Sequence, residues 1–463
     1  MICGSETLGG ERLLINTFKV IIIGAGTGGL CLAHGLKRAG IHAEVYERDR
    51  TRTGGLQGYR VGISPDGSRA LKKCLLPELF DIFVATCART PKYFNMLTER
   101  YTELLSLELE SGSDPVNDEK SVSRMTLRQV LLTGLEDIVH FDKKFSRYAQ
   151  NADGTVTAFF EDGTSATGDL LVGADGANSP VRKQFLPHAK LEETGIVSIG
   201  GKLPITDETK ALLPHKVFHG VTMVMAPKAY GCILHAMEFK WDHSGIKHGI
   251  GGNDAELLTR WPGLLYDNTR DYISWGFWAS RRSFAENPLQ IKDGEHLKRI
   301  VLEMTESWHP HLREIVRMSD PTAMITVNIR TSVPIEPWPT SNVTLIGDAI
   351  HTMTPGRGVG ANTALRDAAL LCQRMIEARD GIKPLKQAVN EYEAEMIRYG
   401  FEAVLDSRKQ MDDNTVMHKP VIGRIALACM RTGMRLVNCL PPVKKKMAAN
   451  LSRSRGAQRE EVS

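Results

Sequence analysis

Two glycine-rich stretches carry the residues whose spacing could do chemistry. GAGTGG at 24–29 offers Gly24, Gly26 and Gly29 in the GxGxxG pattern, and GDAIHTMTPGRGVGAN at 347–362 opens with an acid, Asp348, and ends in Gly358, Gly360 and Ala361. Glycines at the first spacing leave backbone amides uncovered at the start of a helix, which is where a pyrophosphate binds: Gly24 makes the tight turn, Gly26 lets the phosphates approach, and Gly29 lets helix and sheet pack closely. Glu47, eighteen residues beyond Gly29, is placed to accept hydrogen bonds from a ribose diol. A second loop of this kind, some three hundred residues later, suits a ligand too long for one loop. Its amides at a helix N-terminus would favour an electron-rich group, with Arg357 adding charge.

These residues need particular elements to hold them. FKVIII (18–23) is a β-branched run of buried-strand type, LCLAHGLKRAG continues at helical spacing, and HAEVYE (42–47) is a second strand. That βαβ unit is the context in which GxGxxG carries meaning. The stretch from about 65 to 120 reads as helical and irregular. RMTLRQVLLTGLED (124–137) reads as an amphipathic helix, and TVTAFFEDGTSATGDLLVGADG (155–176) as strands joined at Asp162-Gly163 and running into a buried strand end. Between 190 and 335 the pattern favours an antiparallel sheet, NVTLIGDAIH returns to a buried parallel strand, and ANTALRDAALLCQRMIEA is a strong helix. The expected fold is therefore α/β. A Rossmann-type nucleotide-binding domain would be assembled from the discontinuous segments 16–65, 120–190 and 335–400. A substrate domain with its connections would occupy 66–119 and 191–334, with an inserted antiparallel sheet, and a C-terminal helical, basic tail would follow over 401–463.

The composition, with a net charge of +4 over 463 residues, is that of an ordinary globular chain and does not suggest a nucleic-acid partner. The charge is uneven: from 417 onward there are ten Lys/Arg against two Glu. Eight cysteines without a CxxC pair speak against a zinc site or a disulfide framework and for a reducing compartment. With no signal-peptide pattern and no apolar run approaching a membrane span, the expected location is cytoplasmic. In the tail, Arg424, Arg431 and Arg435 fall on one face of an amphipathic helix that stops at Pro441-Pro442. Docking over the substrate pocket is the favoured reading. Peripheral membrane contact, anchored by Lys444 to Lys446, is the alternative.

Three ordered segments, VIIIGAGTGGLCLAHGLKRAGIHAEVYER, DLLVGADGANSPVRKQFLP and VTLIGDAIHTMTPGRGVGANTALRDA, resemble the single-component FAD-dependent aromatic hydroxylase family of flavoprotein monooxygenases, which share the p-hydroxybenzoate hydroxylase fold. The resemblance spans roughly 18–400. It implies FAD as cofactor, with NAD(P)H and dioxygen as co-substrates and no metal. Gly24, Gly26, Gly29 and Glu47 would hold the ADP half, and the Asp175-Gly176 motif would serve both FAD and the pyridine nucleotide. Asp348 would hold the ribityl chain, with Arg60 and Arg124 beside the cofactor and Arg128 a weaker match. It also implies oxygen transfer through a flavin C4a-hydroperoxide, in which the cofactor performs the hard step and the protein supplies placement and exclusion of water. A halogenase would carry WxWxIP, and WGFW at 275–278 does not fit.

The expected function is hydroxylation of a lipophilic small molecule, plausible in secondary metabolite biosynthesis. Epoxidation of an alkene-containing terpenoid or polyketide is the alternative, and a non-turnover flavin-binding regulatory protein is the alternative of another class. The catalytic residues are unknown from the sequence. His351 reads as a packing residue in its turn, while Tyr59, His219, Tyr230, His235 and Arg281 are candidates for the pocket wall.

Overall fold

The structure is a computed structural model that describes residues 17–52, 60–109, 114, 116–239, 271–419 and 421–456. Its organising element is the strand Lys19–Ile23, whose Val20, Ile21 and Ile22 are fully buried. It lies in the middle of a five-stranded, wholly parallel sheet in the order Val343–Leu345, Leu170–Gly173, Lys19–Ile23, His42–Tyr46, Val139–His140. The three strands Val343–Leu345, Leu170–Gly173 and Lys19–Ile23 are apolar runs buried on both faces, as parallel strands covered by helices must be, while His42–Tyr46 and Val139–His140 toward the edge carry polar, partly exposed residues. The helices Thr27–Arg38 and Gly360–Arg379 pack against one another on this sheet. All three glycine and acid motifs therefore emerge at the carboxyl ends of neighbouring strands, where open α/β sheets bind ligands.

The second sheet has seven strands, in the order Ile325–Ser332, Leu191–Pro204, Tyr272–Ser280, Gly231–Met237, Gly220–Met225, Tyr93–Thr98, Glu103–Glu108. All its pairs are antiparallel except Gly220–Met225 with Tyr93–Thr98. One face carries Val197, Ile199 and Phe277 into a core with Leu297 and Ile315 of the helices Gly294–Met304 and Pro310–Arg317. The opposite face, with Phe94, Met96, Met223 and Ile233, looks onto a cavity.

The expected βαβ unit, the Asp162-Gly163 hairpin and the 190–335 antiparallel sheet are present. Four expectations are corrected. Residues 66–87, assigned to the substrate domain, form the helices Pro65–Cys74 and Pro77–Ala85, and their Leu71, Leu79 and Phe83 share the core of the parallel sheet. The part of 65–120 read as helical and irregular also contains a hairpin, Tyr93–Thr98 with Glu103–Glu108, because leucine and glutamate at LLSLELE mask a strand that is buried by pairing. The boundary at 400 falls inside one helix, Leu385–Arg408, whose Phe401 and Val404 remain in the first core. Finally, Pro441-Pro442 ends the helix Ile422–Asn438 but also starts another, Pro441–Ser454, since proline is tolerated at the first helical positions.

Candidate cofactor groove and substrate cavity

Gly24 takes φ +107°, and a Cβ there would lie 2.5 Å from the carbonyl oxygen of Ala174. The turn thus requires glycine and is wedged against the strand end that carries Asp175. At Gly26 a Cβ would meet only that same oxygen, at 3.8 Å, so one side of the loop is open; at Gly29 it would collide with Gly24 O at 2.3 Å. The helix that follows has no acidic residue in its first turn and Lys37 and Arg38 in its last, leaving its positive end available to an anion. Glu47 is buried, and its carboxylate accepts the N–H of Ala25 at 2.7 Å and of Asp49 at 2.9 Å. It therefore braces the loop. Arg128 sits 2.9 Å from Asp49 and 3.7 Å from Glu47.

In the second motif Asp175 Oδ2 accepts the N–H of Val181 at 3.2 Å, while the buried Oδ1 has no partner. Burial pushes its pKa up, against the pull of the hydrogen bonds from Ser179 and Val181. Such an orphaned acceptor needs a donor. Arg182, buried in the same segment, donates to Ala177 O and to Ala349 O, both at 2.9 Å, and so ties the second motif to the third.

Gly347 holds φ +61°, which turns the chain so that Asp348 leaves the strand end. Asp348 is open to solvent by surface area yet surrounded by protein at depth, the situation of a side chain on the floor of a groove. That depth raises its pKa despite the nearby charges of His351 and Arg124. Arg124 stands exposed at the start of the helix Arg124–Leu132. Behind the turn Asp367, completely buried, accepts three hydrogen bonds: Gly347 N–H at 2.7 Å, His351 Nε2 at 2.6 Å and Tyr399 OH at 2.6 Å. His351 is thus a buried brace of the turn.

The GRGVGAN loop makes a short 3-10 turn at Pro355–Arg357, passes through Gly358 at φ +62° and enters the helix at Gly360. The first i to i−4 bond of that helix is Thr363 N–H to Val359 O, so the amides of Gly360, Ala361 and Asn362 precede the ladder. Asn362 does not cap the helix. Its amide accepts from Ser64 N–H at 2.8 Å and donates to Gly62 O at 2.9 Å, which clamps the loop to the strand Arg60–Ile63. Arg357 pairs with Asp406 at 2.9 Å, so its charge is shared.

Residues 355–359 also form one wall of a cavity of about 1000 Å³, enclosed further by the seven-stranded sheet and the last two helices. Arg60 lines it and donates from Nε to Ser121 Oγ at 2.9 Å; burial and the neighbouring Arg455 bring its pKa down to about 10. Tyr230 lines it as well. His235 lies on the cavity side of its strand, in register with Val221, and donates from Nδ1 to Gly220 O at 3.1 Å, because a carbonyl can only accept; Nδ1 is therefore the protonated nitrogen. Burial and the charge of Arg60 hold its pKa well down. The other pocket candidates fall elsewhere: His219 is bonded to Arg89, Arg281 pairs with Glu193 at 2.7 Å, and Tyr59 lies outside the described residues.

The last two helices form the roof. Leu427, Met430 and Leu451 face the cavity; Arg431 bonds Glu99 and Met225 O; Asn438 Nδ2 donates to Glu103 at 2.9 Å; and Arg455 pairs with Glu119. The tail docks, but its three arginines do not act as one face, because Arg431 turns inward while Arg424 and Arg435 stay exposed. Among the described residues no helix is long and apolar enough to cross a membrane, and no acid, histidine and cysteine cluster could hold a metal ion.

Sequence reasoning missed Arg182, Asn362 and Asp367. Each stands within a quoted motif segment, so proximity to the motif was the available signal.

A groove open at Gly26, lined by an orphaned Asp175 oxygen and an accessible Asp348, and ending at uncovered amides beside an apolar cavity defines a flavin-dinucleotide site. Comparison with known proteins agrees. The sequence profile described as "FAD binding domain" matches residues 120–404. The chain belongs to that family, among the FAD-dependent monooxygenases. It is 33% identical over 393 residues to the dual O-methyltransferase/FAD-dependent monooxygenase CTB3 of Cercospora beticola, covering 81% of this chain and 44% of that protein. It thus spans less than half the length of that relative. It is 28% identical to the FAD-dependent monooxygenase thnD of Trichoderma harzianum, covering 86% of this chain and 94% of that protein. A solved structure from Photorhabdus luminescens, described as an FAD-containing monooxygenase, shares 32% identity at a TM-score of 0.73 over 86% of this chain and 98% of that one. The fold alone is shared with Klebsiella pneumoniae HpxO, solved with FAD and uric acid, at 22% identity and a TM-score of 0.72 over 96% and 99% of the two chains.

Proposed function

We propose that the chain is an NAD(P)H-dependent FAD monooxygenase that hydroxylates a lipophilic, secondary-metabolite-like molecule. The observation that carries this reading is the double role of residues 355–359, which end the cofactor groove and also line the cavity, so that a flavin ring and a substrate would meet there. Bound FAD, reduced by the pyridine nucleotide, would supply an electrophilic oxygen atom derived from dioxygen.

The chain's own residues do the placing. Glu47 and the 24–29 loop receive the adenosine and pyrophosphate end, and Asp348, set by Gly347 and Asp367, receives hydroxyls of the ribityl chain. The amides of 360–362 meet the electron-rich edge of the reduced ring. Phe94, Met96, Met223, Ile233, Leu427 and Met430 keep water from the reacting atoms, and the cavity has room for a substrate of several fused rings, since pockets that hold drug-sized ligands measure about 300–1000 Å³. The relatives CTB3 and thnD, both named as FAD-dependent monooxygenases, support the reaction class.

The test is a panel of aromatic polyketides and terpenoid alkenes, scored by stimulated NAD(P)H oxidation and by product mass under isotopically labelled dioxygen. A flavin-loaded protein that incorporates label into no member of the panel refutes the reading. Asp348→Ala should lose most of the noncovalent FAD that colours the wild type, and full flavin retention would remove Asp348 from the site.

A further inference from the structure

The two roof helices have a second face that the cavity does not use. Eight of the twelve large apolar side chains that stand exposed among the described residues lie between 416 and 447. On the helix Ile422–Asn438 the inward positions are Gly423, Leu427, Met430 and Met434, at spacings of three and four. The outward stripe, Ile422, Ile425, Cys429 and Leu436, follows the same period half a turn away. Ile425 is 60% and Leu436 63% exposed, and Leu440, Val443 and Met447 extend the patch over the second helix. Water does not favour such an array, and a patch of this kind marks an interaction site.

Charge decides what covers it. Residues 421–456 contain eight Lys/Arg and no Asp/Glu. Arg424, Arg435, Lys445 and Lys446 are exposed beside the apolar stripe. A second copy of this chain, packing through the same patch about a two-fold axis, would bring like charges together. An anionic phospholipid surface offers the opposite sign and an apolar layer at the depth of an in-plane helix.

We propose that the outer face of the roof, from Ile422 to Met447, is a peripheral contact for an anionic bilayer. The same helices line the cavity from within, so a substrate dissolved in lipid would lie one helix thickness from the site. This last consequence rests on the monooxygenase reading; the contact itself does not.

The experiment is flotation of the FAD-loaded full chain with vesicles of phosphatidylcholine alone or with 30% phosphatidylserine, the latter an arbitrary but strongly anionic composition of roughly physiological sign. Two variants accompany it: Ile425→Asp with Leu436→Asp, and Lys445→Glu with Lys446→Glu. None of these residues lines the cavity, and flavin content reports folding. The wild type should float with the anionic vesicles at least about tenfold more than with neutral ones, and less in high salt. Each variant should lose most of that binding with flavin content unchanged. Absent flotation of the wild type, or flotation unaltered in both variants, overturns the proposal. A wild-type dimer in sedimentation that the Asp variant makes monomeric also overturns it, assigning the face to self-association. Because no turnover is read, failure here leaves the catalytic reading standing, and a chain that floats but never oxygenates a substrate sinks only the latter.

Discussion

Replacing Asp367 by alanine should damage the cofactor groove from behind. The carboxylate is completely buried and holds Gly347 N–H, His351 Nε2 and Tyr399 OH at 2.6–2.7 Å. A hydrogen bond to a charged group contributes about 1.5–3 kcal/mol, and removing one partner of a buried ion pair costs about 3–5 kcal/mol. The three bonds share one anion and do not add, so a loss of about 4 kcal/mol is expected. At ~2 °C per kcal/mol for a large domain, that lowers Tm by roughly 8 °C.

The functional readout is separate. Once Gly347 is no longer held, Asp348 is no longer aimed, and FAD affinity should fall at least about tenfold, or ~1.4 kcal/mol. A pH series sharpens the assignment. Burial pushes the His351 pKa down from 6.5, but the charge and hydrogen bond of Asp367 outweigh it and leave the pKa raised. A raised histidine pKa adds stability that is fully present below the unfolded value and is lost as pH rises through the folded one. Asp367→Asn, which keeps an acceptor for Tyr399 but not the charge, should flatten that decline. Calorimetry and flavin titration of both variants across pH 5.5–9, a range of about two units either side of neutral, measure all of this. Stability within about 1 kcal/mol of wild type in Asp367→Ala, with unchanged flavin affinity, would refute the argument.

Other expectations follow from close contacts. Gly24→Ala places a Cβ 2.5 Å from Ala174 O at φ +107°, so the variant should fold poorly and copurify with little FAD; near-normal flavin content would contradict the wedge. Arg431→Gln removes the charge that latches the roof to Glu99 and Met225 O. It should leave flavin content intact, raise the KM for substrate and increase uncoupled NAD(P)H oxidation, whereas unchanged kinetics would mean that the roof is held by its other contacts.

The chemistry at the strand ends was readable because each motif is local: a β-branched run, a glycine or acid, then a helix. Gly24, Asp175 and Asp348 sit within such units, and the parallel sheet that aligns them follows from the apolar strands. What periodicity does not carry is which distant group holds a motif in place. Asp367 serves a glycine twenty residues earlier and a tyrosine thirty-two later, and Asn362 reaches the backbone of Gly62 across three hundred residues. A buried polar side chain in a helix gives no sign of its partner. The hairpin at 93–108 was hidden for a different reason: its Leu and Glu favour helix locally, and only pairing across the sheet overrides that preference.

The sheet order has a consequence for how the protein comes into being. Val343–Leu345 pairs with Leu171–Gly173, which pairs with Ile21–Ile23. During synthesis the first cofactor loop leaves the ribosome long before the strand that completes its sheet. Until residues near 350 emerge, the nascent chain holds a nucleotide loop facing no flavin partner and a parallel sheet with an open edge, a slow and aggregation-exposed arrangement. Complete cofactor capture is therefore a late step, and bound FAD would stabilise the finished chain by mass action.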